Sequence, residues 1–398
     1  MTLEAPARLV LILGSIAAFG PLSIDMYLPG FPAITRDLHT DFAQVQHTLP
    51  AFFIGLCVGH LFYGPLADRY GRLAPLRAGL VIYVLASVGC ALARNIETLI
   101  VLRFVQALGA CAGMVIVVAI VRDLYDLQNS ARMFSRLMLV MGLAPILAPF
   151  AGTYVVEWFG WRAIFWFLAA FGIACLVAVT AYLRETHTAG AATSIRPVAV
   201  LRSYGLLFAD RRFLGYALSV AMANAALFVY LTGSPFVLME FFGLSPRAYS
   251  LLFGLNAIGL VLGAQLNDRL LVRHRLETVL TRANIIAIVI SALLFLCTVT
   301  LLGGVTAVAA LLFGLVASRS FIRPNAMAAA LESQADRAGT ASALIGSLQF
   351  GFGTVGGALL GILHDGTARP LALVLLLFSL FGLTFQLALS RGPRTAAG

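Results

Sequence analysis

The chain alternates long apolar runs with short polar breaks. Runs of about 20 apolar residues match the length of a membrane-crossing helix. They fall at roughly 9–31, 43–66, 75–93, 98–121, 134–156 and 162–183. A second set lies near 213–237, 248–268, 277–301, 303–323, 339–363 and 370–390. The pattern predicts twelve transmembrane helices and an all-α polytopic membrane fold. The longest break, a linker at 184–212, separates six spans in 1–183 from six in 213–398. Two stretches echo each other, "GPLADRYGR" from Gly64 and "AQLNDRLLVR" from Ala264. Leu66, Asp68 and Arg69 recur as Leu266, Asp268 and Arg269, each set where the second span of its half ends. Matching positions support two parallel six-helix repeats.

Composition closes off a soluble fold. The 398 residues are 61% hydrophobic and only 11% charged, against about 25% charged in soluble domains. All 27 basic residues are Arg, and Lys is absent. A net charge of +10 invites a nucleic-acid partner. The Arg residues are instead scattered among short loops, as the positive-inside rule requires. With the N-terminus inside, 20 Arg fall on the cytoplasmic side and five on the other. Both termini are therefore expected in the cytoplasm. Arg103 and Arg319 remain within spans, and Arg319 is expected to snorkel to the cytoplasmic interface. The first apolar run lacks a basic leader and a small-residue cleavage site, so it reads as a span rather than a signal peptide.

The five Cys all lie in apolar runs without a CxxC pair, which suggests neither a disulfide framework nor a metal site. No GxxxxGK[ST] loop or GxSxG elbow occurs. An enzyme, an ATP-driven pump and a bound cofactor are not expected.

The candidate chemistry lies inside the spans. Asp25, in "PLSIDMYLPG", is the only charge between Arg8 and Arg36. An intramembrane charge costs roughly 2.5–3.5 kcal/mol on insertion scales and usually faces the protein interior. Span one runs outward and span four inward, which sets Asp25 and Arg103 at similar depth. Burial favours the neutral acid and a nearby guanidinium favours the carboxylate. Asp25 is thus either a proton exchanger or the fixed structural partner of Arg103. Gln106, one turn after Arg103, orients the Arg, bonds substrate or packs between helices. Tyr27, Asn224, Phe228, Tyr230 and Gln349 are further cavity candidates, with simple packing as their alternative. His60 is a weaker proton-carrying candidate. Gly64 suits a close helix contact and Gly71 a sharp turn. Span eleven, "GFGTVGGALLG", holds a GxxxG from Gly353 to Gly357.

"GPLADRYGRLAPLRAG" resembles the loop between spans two and three of the major facilitator superfamily. "LRFVQALGA" at Leu102–Ala110 resembles that family's span-four motif, which carries an intramembrane Arg. "APILAPFAG" at Ala144–Gly152 is similar to the span-five motif of drug:proton antiporters, with Gly142, Pro145, Pro149 and Gly152 as its elements. "IDMYLP" and "NAMAAALESQADRAGTASAL" resemble the Bcr/CflA subfamily of bacterial drug exporters. The resemblance covers nearly the whole chain. It implies two halves rocking about a central cavity, and a cytoplasmic gate built from Gly64, Asp68, Arg69, Gly71, Arg72 and Asp123. It further implies a monomeric inner-membrane exporter of amphipathic antibiotics, whose partners are a small-molecule drug, protons and the lipid bilayer. A carrier for one metabolite, such as an amino acid or sugar, is the alternative on the same fold.

Overall fold

The computed structural model describes residues 7–186, 204–332, 334 and 338–390. The expected linker at 184–212 therefore lies largely outside the described residues, as do Arg337 and part of "NAMAAALESQADRAGTASAL". The described chain is helical throughout. Among the described residues, ten helices are long and apolar enough to cross a membrane, or eleven when the bent pair at the start counts as one span. The fifth expected span, 134–156, falls within the helix Leu127–Phe159, which begins seven residues earlier and is not among those counted.

The chain forms two compact units. One gathers the described residues of Met1–Ile195 with Leu244–Gly254, and the other those of Arg196–Gly243 with Leu255–Gly398. The first unit contains α1 (Ala7–Ala17), α2 (Phe19–Asp25), α3 (Phe31–Asp37), α4 (Phe42–Gln46), α5 (Thr48–Tyr70), α6 (Leu73–Leu92), α7 (Ile96–Leu124), α8 (Leu127–Phe159) and α9 (Arg162–Tyr182). The second is built from α10 (Arg211–Pro235), α11 (Pro246–Arg273), α12 (Leu276–Thr300), α13 (Gly304–Glu332), α14 (Ala338–Ile362) and α15 (Arg369–Ser390). The first turns of α11 group with the first unit because Ser250 bonds the Pro149 carbonyl (3.1 Å) and Thr153 (2.7 Å) on α8. Arg247 pairs with Glu157 there at 2.8 Å.

The first span is not the single helix expected over 9–31. It bends by 44° between α1 and α2, then passes through a 3-10 turn at Leu28–Gly30 into α3. Proline explains both breaks. A proline ring clashes with the carbonyl four residues back and gives that carbonyl no N–H. Pro21 stands four residues after Ala17, where α1 ends, and Pro29 four after Asp25, where α2 ends. Asp25 therefore sits at a helix end inside the span.

Small residues set the close packing of the first unit. A Cβ on Gly55 of α5 would lie 2.4 Å from the Phe104 carbonyl of α7, and one on Gly109 would lie 2.4 Å from the Tyr83 backbone nitrogen of α6. Gly64, expected to admit a close helix contact, has nothing within 4 Å of its Cβ position. The contact falls two turns earlier along α5, because α5 meets α7 through Gly55 and Gly59 instead. In the second unit Gly353 accommodates the Phe228 ring and Gly356 accommodates Val229 and Phe378. Both glycines turn α14 toward α10.

Pro145 and Pro149 lie within a continuous α8. The tightest approach on that helix is at Gly152, where a Cβ would stand 2.1 Å from the Met26 carbonyl. Backbone cannot yield by that amount cheaply. Gly152→Ala is expected to lower stability by about 1–3 kcal/mol, read as a reduced thermal midpoint in detergent. Gly142→Ala on the same helix meets open space, and should hold or raise the midpoint because Ala favours a helix by about 1 kcal/mol. Equal effects from the two would refute the contact.

Candidate functional site

Arg103 projects from α7 and is wholly buried, with 0% exposure. Its Nη1 donates to Gln106 Oε1 at 2.6 Å and its Nη2 to the Ser23 carbonyl at 2.9 Å. The guanidinium lies over the rings of Phe52 (4.3 Å) and Tyr27 (4.6 Å). Gln106 passes the network on, donating to Ser87 Oγ at 2.8 Å, and Ser87 donates to the Tyr83 carbonyl at 2.7 Å. Ser23 and Tyr83 share a further hydroxyl bond of 2.8 Å. Tyr27 is fully buried and donates to Thr48, whose own proton goes to the Val45 carbonyl. One guanidinium thereby ties α2, α5, α6 and α7 together. Arg103, Gln106 and Tyr27 are committed to this core.

Asp25 is different. It is 5% exposed, and among the described residues its carboxylate joins no ion pair and accepts no side-chain hydrogen bond. The level expected for Asp25 and Arg103 is shared, since Arg103 bonds the carbonyl of Ser23, two residues away. The fixed pair between them is not formed. Arg103 turns to neutral acceptors and aromatic faces, and the α2 break leaves the acid at a helix end.

The second unit holds the other cavity candidates. Asn224 on α10 and Gln349 on α14 are 6% and 7% exposed, and their amides have no hydrogen bond among the described residues. Phe228 stacks on Phe350 at 5.2 Å, with ring planes 17° apart. Tyr230 accepts a 2.6 Å bond from Asn256, so its hydroxyl is engaged. His60 in the first unit is also engaged, with Nδ1 2.9 Å from the Leu56 carbonyl and 3.0 Å from Cys111 Sγ.

At the end of α5 the backbone turns at Gly71, whose φ of +81° favours glycine. Arg72 follows and joins Asp68 (2.5 Å) to Asp123 (2.8 Å) at the end of α7. Burial works against the Arg72 charge, but Asp123 and Asp68 hold its protonation above the ordinary value. Glu185, just beyond α9, accepts from the backbone nitrogens of Arg72 (2.7 Å) and Leu73 (3.0 Å), capping α6. A negative group at a helix N-terminus satisfies orphan N–H groups and suits the helix dipole. Thr186 completes the cluster with a 3.2 Å bond to Asp123. Arg69 stands outside it, 5.2 Å from the Tyr70 ring. The family resemblance points to Asp68, Arg72 and Asp123 but not to Glu185. No local pattern connects a residue 113 positions away to a helix start.

With the helices and these two clusters in place, the chain belongs to the Major Facilitator Superfamily, whose pattern matches residues 13–358. It is a membrane transporter and not an enzyme. It is 34% identical over 377 residues to the "Uncharacterized MFS-type transporter YdgK" of Bacillus subtilis, covering 94% of this chain and 93% of that one. It is 32% identical to a "Bicyclomycin resistance protein homolog" of Haemophilus influenzae, with 91% of each chain covered. The multidrug resistance protein MdtL of Escherichia coli matches at 33% identity over 60% of each chain. Among solved structures, a D-xylose–proton symporter superposes with a TM-score of 0.78 over 97% of each chain at 12% identity. That likeness establishes the fold alone.

Proposed function

We propose that the chain exports amphipathic drugs in exchange for protons, by alternating access across the bacterial inner membrane. Asp25 carries the reading. It is a buried acid with no fixed counter-ion, so it can exchange its charge for a proton without breaking a salt bridge. Within the second unit, taken by itself, Asn224 and Gln349 supply uncommitted amides, and Phe228 and Phe350 supply apolar surface. Few polar groups among apolar walls tolerate varied substrate shapes. The similarity to drug-resistance proteins supports the same assignment. Arg72, Asp68, Asp123 and Glu185 act as the cytoplasmic gate, and Gly142, Pro145, Pro149 and Gly152 belong to the antiporter helix. The Arg distribution supports cytoplasmic termini. The protein works as a monomer.

The test is transport by the purified full chain in proteoliposomes. A pH gradient is imposed, and structurally unrelated amphipathic drugs are compared with amino acids and sugars. Gradient-driven movement of several unrelated drugs is expected, with loss of movement when the gradient is collapsed. Movement of one metabolite alone would replace the multidrug reading with that of a single-substrate carrier.

A further inference from the structure

Arg319 does not snorkel to an interface. It lies near the middle of α13, a 29-residue helix, and is only 5% exposed. The apolar run over 303–323 predicts a position near a span end, whereas the helix continues to Glu332. Its guanidinium has no ion pair among the described residues. The one hydrogen bond it donates there is a long one, 3.4 Å from Nη2 to Ser379 Oγ on α15. Ser379 gives its own proton to the Leu375 carbonyl at 2.9 Å. Ser291 on α12, 3.2 Å from Ser379, gives its proton to the Ala287 carbonyl at 2.7 Å. The hydroxyls can therefore only accept, and they leave most of five N–H donors unanswered.

Arg103 and Arg319 are both buried arginines in membrane helices, yet Arg103 has a short amide bond, a carbonyl and two close aromatic faces. Arg319 has no such set. Arg323 stands one turn further along α13, is exposed, and also has no ion pair among the described residues. Like charges four apart on a helix repel. Two arginines on one helical face, the inner one buried and underbonded, make a site that lacks negative charge.

We propose that Arg319, with Arg323 as its accessible neighbour and Ser379 at its side, binds a small monovalent anion. The chemistry is an acceptor-only group seated on a guanidinium fork, which suits a carboxylate especially well. Its source is either a free halide or an acidic group carried by a transported molecule. The site stands whether or not the protein exports drugs, because its test reads binding alone.

The experiment follows thermal unfolding of the purified full chain in detergent at constant ionic strength. Chloride is titrated against a bulky zwitterionic sulfonate buffer anion that carries no carboxylate, and benzoate against benzamide. Wild-type protein is expected to gain stability from chloride or benzoate and none from the bulky sulfonate or benzamide. Arg319→Gln should raise the half-saturating concentration about tenfold or more, in keeping with loss of a charge-assisted bidentate bond. A chloride response identifies a free anion. A benzoate response with chloride inert identifies a substrate carboxylate. Should Arg319→Gln fail to fold, Arg319→Lys retains the charge without the fork, and benzoate should bind it more weakly than wild type. Absence of any anion-specific shift in wild type overturns the site. So do curves unchanged in the folded variants.

Discussion

Asp25→Asn is expected to abolish the proton release that follows drug addition to purified protein in lightly buffered detergent. Wild-type protein should release protons on adding a transported drug, and gradient-driven export by the variant should fall at least about tenfold, or roughly 1.4 kcal/mol of lost coupling. Asparagine keeps the shape of the neutral acid and removes the titration. The side chain is buried, and no described ion pair depends on it. The variant should therefore fold, and its thermal midpoint should stay close to wild type. That separation is the useful feature of the experiment: a coupling defect without a folding defect. Equal proton release from both proteins, with the variant intact, would demote Asp25 and move the search to His60 and the second unit.

Much of this arrangement was legible in the chain because depth in a membrane is encoded by counting residues. Most helix starts and the level shared by Asp25 and Arg103 follow from apolar run lengths and a fixed rise per residue, but α8 begins at Leu127 rather than 134 because its first turns are polar. The cluster of Asp68, Arg72 and Asp123 came from the family resemblance rather than from the charge pattern, because which end charges meet is a matter of tertiary packing. Azimuth was not legible. Whether Arg103 points to Asp25 or to Ser23 depends on the bend in the first span, which hydropathy averages away. The cause of that bend lay in plain view, since Pro21 and Pro29 each stand four residues after a helix end. Glu185 was hidden for another reason. Its role is to accept two backbone N–H groups of a distant helix, and backbone donors leave no trace in side-chain patterns. Arg319 was misplaced by a boundary, because "FIRPNA" dilutes the apolar signal while Pro324 lies inside α13.

Arg103 should respond to substitution in the opposite way from Asp25. Its guanidinium answers the Ser23 carbonyl and Gln106 and fills the space between Tyr27 and Phe52. Arg103→Ala removes these bonds and leaves a void where a large side chain was fully buried. An unsatisfied buried acceptor costs about 1–3 kcal/mol, and truncating a large core side chain costs about 2–5 kcal/mol. The expected loss is several kcal/mol, a large share of the roughly 5–15 kcal/mol that hold a typical protein folded. Arg103→Lys keeps the charge, but an ammonium cannot reach both acceptors in the plane of a fork or stack on two rings. It should recover only a minor part of that loss. Thermal unfolding and the size-exclusion profile of the purified variants read this directly. A lysine variant that melts and transports like wild type would show that charge alone is needed at this position. A lysine variant that unfolds early, beside a stable Asp25→Asn protein that no longer couples, would assign the two intramembrane charges to separate tasks: the base to holding four helices in register, the acid to moving the proton.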